Sequence, residues 1–534
     1  MSNIDNTNGK LNGSASHKEW KNWQKVLFRV AFVFFIIIAI PNSLQWYKEV
    51  FSFDWTNLNY RDLYDIARFN SGIPWFGNTL FGSSLNGYAI WIITLLFSTG
   101  VALVWTLVLS ILKKQVHDYD TLYYWLRVIV RYRAGIGIIG FGFTKLFPVQ
   151  MPYPSEALLN TDFGDFTAQK IYWLSIGIVP WYQVFAGIVE NTAGALLFFR
   201  KTTLLGAVLL FGALGDIVYV NFAYDGGVHG YSSYFVLLSG FLIIQYIPYL
   251  YNLFIREKPT QLVNYYPVLS KPWQISRYAL KTVTIFVFVF LLFYLQYINF
   301  TYDPYKQPSI KGITALRGYY DVAEFKINGK EIPYSPTDTV RWQEATFEKW
   351  TTLTYKVNKP TPLDLSNGGG APQRDINRTF EITGTAGGRR AFYYLADTID
   401  NTLYLQDKYK AFDPSEFVEG VVRRNNAKRG KKKEKPKKGI YADTWITDAA
   451  WAHIGDEVNK INPVAASARR DKEFAASYHK FDERKRMVLT YKTDDGKKVI
   501  LKGVNETQDS IYVVLNKIDR RYALSRSTLD AGSY

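Results

Sequence analysis

Three ionisable residues interrupt otherwise apolar runs. Lys145 closes YRAGIGIIGFGFTKLFP (132–148), Glu190 lies inside VFAGIVENTAGALLFF, and Asp216 lies inside LLFGALGDIVYVNF. A charge at such depth costs at least about 2.5 kcal/mol on membrane-insertion scales, so each is a candidate for function. A carboxylate there can take the proton of a quinol or relay one. A lysine can hold a carboxylate, a carbonyl or a headgroup oxygen. Arg133 stands at the start of the glycine-rich run, and Asp225 and His229 lie in the loop FAYDGGVHGYS. His229 there reads as a ligand or a proton relay. Each residue also has a plainer reading. Lys145, near the end of its run, can snorkel to headgroups. Glu190 can stay neutral on a backbone carbonyl. A lone loop histidine is more often neither ligand nor relay, and the spacing assigns no metal site.

The glycines suggest how these groups are positioned. On a helical wheel Gly137, Gly140 and Thr144 share one face, and Gly135 and Gly142 share the opposite one. Small residues on two faces admit a close neighbour on each side, which predicts a central helix. Glu190 shares its face with Ala186, Gly187, Ala193 and Gly194, and Asp216 has Gly212, Ala213 and Gly215 beside it. Both acids are therefore expected on packed faces, away from lipid, and neighbouring helices are expected to bring them close.

The surrounding chain reads as a membrane domain. Seven apolar segments of about 20 residues, the length that crosses a bilayer, fall near 25–44, 88–112, 128–147, 173–199, 203–222, 231–252 and 279–298. Lys and Arg cluster before the first segment and at every second turn thereafter, which predicts a cytoplasmic N-terminus. Residues 1–22 read as a disordered cytoplasmic tail before an uncleaved first helix, 23–298 as the transmembrane helical domain, and 299–534 as an exported domain. Segment 57–69 is expected either as an amphipathic helix on the outer membrane surface or as an ordered loop.

Composition excludes several chemistries. The 534 residues carry a net charge of +17 and no cysteine. Disulfides, thiolate zinc sites, iron–sulfur ligation and c-type haem attachment are absent. No histidine falls inside an expected span, and no G-x-G-x-x-G, G-x-S-x-G or H-E-x-x-H motif stands in the right setting. No intrinsic cofactor is expected.

Two stretches, VIVRYRAGIGIIGFGFTKLFPVQMPYP and GIVENTAGALLFFRKTTLLGAVLLFGALGDIVYVNF, resemble the DoxX-like family of small membrane proteins. Arg133, Ala134, Gly135, Gly142 and Lys145 match that family's first helix, and Gly187, Glu190 and Gly194 its second. The resemblance implies a four-helix core over about 128–252. The whole chain is similar to larger DoxX-related proteins of Bacteroidetes-type bacteria, with extra helices and a trailing β domain. It implies the bacterial inner membrane, a periplasmic C-terminal domain, and a link to quinone-coupled redox complexes.

From about residue 310 the apolar period changes to alternation. DVAEFKING ends in Asn328-Gly329, a hairpin signal. LTYKV, RTFEIT, RAFYYL, TLYLQD, MVLTYKTDDGKKVILKG and SIYVVLNKI follow. About eight short strands predict a small antiparallel barrel, lipocalin-like, either hollow for one apolar ligand or filled by its own side chains. A charged insertion at 411–485 interrupts it. There Lys431, Lys432, Lys433 and Lys435 belong to a basic block read as a solvated segment that binds anionic lipid or lipopolysaccharide surfaces rather than nucleic acid.

The fold class expected is therefore a membrane α-helical bundle followed by an extracytoplasmic antiparallel β-barrel. The leading function is a non-enzymatic subunit or binder of a lipid or quinone-like molecule, whose exported domain binds a ligand or an envelope partner. The alternatives are a quinone-reactive oxidoreductase subunit with a separate redox partner, using Glu190, Asp216 and Lys145, and a proton-coupled transporter.

Overall fold

In the computed structural model the described residues are 20–69, 71–74, 85–114, 119–366, 368, 374–409, 445–465 and 484–532. Most of the expected tail and Lys431, Lys432, Lys433 and Lys435 lie outside them, as does most of the 411–485 insertion.

Five helical stretches are long and apolar enough to cross a membrane. They are α1 (Asn22–Ala39), α4 (Asn86–Ile111), α9 (Thr203–Ala223), α10 (His229–Ile243) continuing into α11 (Ile247–Phe254), and α12 (Lys271–Ile285) continuing through a π-helical stretch into α13 (Leu292–Tyr302). The other two expected spans are helical but differ from the simple reading. Segment 173–199 is not one rod: α7 (Ala168–Gly177) and α8 (Pro180–Leu197) meet at 91°. Pro180 supplies no N–H to continue α7 and holds Val179 at φ −123, ψ 71, outside the helical region. The expected third span forms as α5 (Tyr119–Leu146), yet it carries Arg127, Arg131, Arg133 and Lys145. It is the central helix, packed against α1, α8, α10, α13 and the short α3 (Tyr60–Ala67).

Glycine makes that centre. A Cβ at Gly187 would stand 2.3 Å from the Leu146 nitrogen and 2.7 Å from the Gly142 oxygen. One at Gly135 would meet the Gly194 oxygen at 3.0 Å, so α5 and α8 touch backbone to backbone. The opposite face of α5 takes other neighbours. Gly137 lies under Phe235 of α10, and Gly140 under Tyr64 of α3. The two-faced reading of this helix holds. Segment 57–69 forms the helix α3, which buries Tyr60, Leu63, Tyr64 and Ala67 against α5 and α13.

The C-terminal half is a closed barrel. β1 (Gly318–Ile327), β3 (Glu344–Phe347), β4 (Thr352–Lys356), β5 (Arg389–Asp397), β6 (Thr402–Asp407), β7 (Arg486–Asp494), β8 (Lys498–Val504) and β9 (Ser510–Ile518) run antiparallel, and β9 closes on β1. The two-residue β2 (Lys330–Glu331) only extends the first hairpin. Asn328 and Gly329 both have positive φ, 51° and 76°, as a two-residue hairpin turn requires. RTFEIT is not a strand; its place in the ladder belongs to Glu344–Phe347. Its apparent alternation misleads because both charged residues are buried as ion pairs. Arg378 binds Asp303 at 2.7 Å and Glu381 binds Lys408 at 2.9 Å, and Phe380 and Ile382 are buried too. The barrel interior is filled by Tyr320, Phe325, Phe347, Tyr355, Phe392, Tyr394 and the aliphatic residues between them.

The barrel sits on one end of the bundle through the segment between α5 and α7. Phe166 bridges Thr385, and the Thr167 N–H donates to the Gly384 carbonyl at 2.9 Å. Glu348 accepts from the N–H groups of Glu156 and Ala157 at 3.1 and 2.9 Å.

Candidate functional site

The sequence-predicted residues separate in the structure. Lys145 does not snorkel: its Nζ turns into the bundle and forms an ion pair with Oε1 of Glu190, which is 1% exposed. The geometry follows from the glycines, because only close contact of α5 and α8 lets a lysine on one reach a carboxylate on the other. The remaining Glu190 oxygen and both amide atoms of Asn191 are buried without hydrogen-bond partners. Asp216 does not join them. It is exposed, and a Cβ at Gly212 or Gly215 would meet nothing within 4 Å. The expectation of a packed face there fails because small residues permit a close neighbour without supplying one.

Arg133 has a structural task. It donates to the carbonyls of Ala67 and Phe69 at 2.6 and 3.3 Å and to the Tyr234 hydroxyl at 3.1 Å, closing the C-terminal end of α3. His229 is stacked 4.3 Å from Phe222 and lies parallel to Tyr88, whose hydroxyl is 3.4 Å from Nδ1. Asp225 is exposed, with φ 52 at the end of α9. These two do not converge on a ligand. Among the described residues, the metal-capable grouping is instead Asp397, Asp400 and His453 in the barrel, and Asp397 is already held by His453 at 3.0 Å and by two backbone N–H groups.

A different site appears where bundle and barrel meet. Met151, Pro152, Trp173, Leu174 and Phe380 line a cleft of about 430 Å³, part of it open to solvent. Lys170 and Lys306 enter it, 7% and 3% exposed. Lys170 stands in the first turn of α7, ahead of the expected span 173–199, and the residue that caps this helix, Thr167, pairs with Gly384 of the barrel domain. Its Nζ donates to the Phe380 carbonyl. Lys306 Nζ has no hydrogen-bond acceptor among the described residues and stands 3.6 Å from the centre of the Trp173 ring. Neither lysine has a carboxylate at ion-pair distance among the described residues. Glu381, whose charge acts on Lys170, already accepts from Lys408 and from the Trp350 indole at 2.7 Å. Burial pushes the Lys170 amine down to about 7, against the pull of Glu381 and Asp364. Burial pushes Lys306 well below the usual lysine range, and Lys170 lowers it further. Across the same seam, burial raises the Glu348 carboxyl to about 7.

Two buried amines beside an indole, walled by apolar side chains, can take up a proton to hold an oxyanion or donate to a strongly polar oxygen attached to an apolar body. Sequence reading missed this site. Lys170 stands in a loop-like segment, Trp173 looks like an interfacial belt residue, and Lys306 is one polar residue among others. No local pattern joins them.

No family model, curated protein or solved structure matches this chain, so the DoxX-like resemblance rests on its motifs alone.

Proposed function

We propose that this chain is a non-enzymatic membrane protein of the bacterial inner membrane, with its N-terminus cytoplasmic and its barrel periplasmic. It binds an amphiphile of the lipid or quinone class at the seam between bundle and barrel. The observation that carries this reading is Lys306, a buried amine with no acceptor, placed beside a second buried lysine in a cleft with apolar walls. A fully packed barrel supports a capping role for that domain better than a carrier role, because its own side chains occupy the space a ligand would need. The quinone-redox and proton-transport readings have less support: Glu190 is engaged by Lys145, and Asp216 faces outward.

The test is mass spectrometry of detergent-purified full-length protein, wild type beside Lys306→Met and Lys170→Met. A lipid or quinone that co-purifies with wild type and is depleted in both variants is the expected result. Equal small-molecule content in all three would sink the reading.

A further inference from the structure

The opposite end of the bundle holds a second cationic pocket that the seam does not explain. Arg127 and Arg131 stand on the first half of α5, roughly 28 and 22 Å along the helix from Leu146 at the barrel end. Arg200 reaches the same place from the turn between α8 and α9. The three line a pocket of about 510 Å³, part of it open to solvent, together with Tyr246, Asn264 and Tyr266.

Three features distinguish this pocket from a solvated basic surface. Arg131 is 9% exposed, and its Nε is buried with no hydrogen-bond partner. Nη1 of Arg127 is likewise buried and unpartnered. Among the described residues none of the three guanidiniums has a carboxylate at ion-pair distance; their partners are the hydroxyls of Thr203, at 3.2 Å from Arg131, Tyr246, at 3.3 Å from Arg127, and Tyr124, which accepts from Arg200. Asp120 is the single acid lining the pocket.

Aromatic rings hold the guanidiniums. Arg127 lies over Tyr246 at 5.1 Å, and Arg200 over Tyr124 and Tyr266 at 5.2 and 5.1 Å. A ring against the face of a guanidinium leaves its in-plane N–H groups free for oxygen ligands. The strap after α11 closes the pocket: Asn264 accepts from Tyr246 at 2.6 Å, and Tyr265 meets Thr121 at 2.8 Å.

We infer that Arg127, Arg131 and Arg200 form a phosphate-binding site at the end of the bundle remote from the barrel. Three fork-shaped donors without a carboxylate match a tetrahedral oxyanion carrying more than one charge-bearing oxygen. The phosphate comes either from an anionic phospholipid headgroup, to which a basic pocket between helix ends is suited, or from a soluble phosphate compound.

The test uses delipidated full-length protein in detergent. Native mass spectrometry measures rebinding of phosphatidylglycerol against phosphatidylcholine, and calorimetry measures binding of inorganic phosphate. Wild type is expected to bind at least one probe, with phosphatidylglycerol above phosphatidylcholine if the source is lipid and inorganic phosphate binding directly if it is soluble. Arg131→Gln/Arg200→Gln should weaken that binding by about tenfold or more. Lys492→Gln/Lys498→Gln, which removes two exposed charges from the barrel surface, should leave it unchanged, which separates this site from a general effect of net charge. Should the double variant fail to fold, Arg200→Gln alone, in a turn, should show a several-fold loss. Failure of wild type to bind either probe, or equal binding by folded variants, overturns the inference.

Discussion

Lys145 and Lys306 are both lysines at the barrel end of the bundle, and their surroundings differ in one respect that matters. Lys145 meets Glu190 across the α5–α8 contact, so its charge is answered within the fold. Among the described residues Lys306 meets an indole ring and a second lysine, and no acid. A buried cation with an internal counter-charge is a structural joint; removing one partner strands the other. A buried amine without one is pushed toward its neutral form, at a cost that no acid among the described residues offsets. The first is explained by folding alone; the second is the group on which the proposed ligand site rests. The sequence drew attention to the first, because a charge in an apolar run is conspicuous.

The comparison can be broken in graded ways. The largest effect is expected at the satisfied pair. Lys145→Met should destabilise the bundle by about 3–5 kcal/mol, and Lys145→Met/Glu190→Leu should recover much of it. Thermal unfolding in detergent reads both. A double variant no more stable than the single would mean that Glu190 answers to something other than Lys145.

Next come the glycines that bring the pair together. Gly187→Ala should cost about 1–3 kcal/mol, since its Cβ meets backbone at 2.3 Å, while Gly212→Ala should be neutral or slightly stabilising. Equal effects would show that α5 and α8 are not in close contact.

At the seam the sign should reverse. Without ligand, Lys306→Met should raise stability by about 1–2 kcal/mol, because it removes an uncompensated buried amine. A large loss of stability would make Lys306 structural, like Lys145.

The pH dependence sharpens the same contrast. The Lys170 amine titrates near 7 in the folded chain against its ordinary 10.5, so the unfolded chain binds more protons between those values. Its contribution to stability therefore rises from about pH 7 to 10.5, and Lys170→Met should remove that slope. Glu348 works the other way. Its folded value is about 7 against an ordinary 4.5, so its contribution falls as pH rises between them, and Glu348→Gln should flatten that fall. Unfolding midpoints across pH 4–10 measure both.

The sequence by itself determined the features that repeat along the chain. Helical periodicity and run length located all seven helical segments, and the glycine spacing on α5 identified a helix with two close neighbours. Alternation and Asn328-Gly329 marked a β domain that closes as an eight-stranded barrel. These readings held because they depend on residues within a turn or a strand of one another. Pro180, the buried ion pairs of RTFEIT and the open face beside Asp216 departed from the simple pattern, each because a particular contact, or its lack, overrode a local rule. Tertiary structure alone decided which charges are answered. Whether a lysine meets a glutamate, an indole or another lysine depends on which helix ends and barrel loops dock together. Lys170 and Lys306 lie far apart in the chain and meet because α7 and the chain leaving α13 reach the same end of the bundle, where Phe380 covers them.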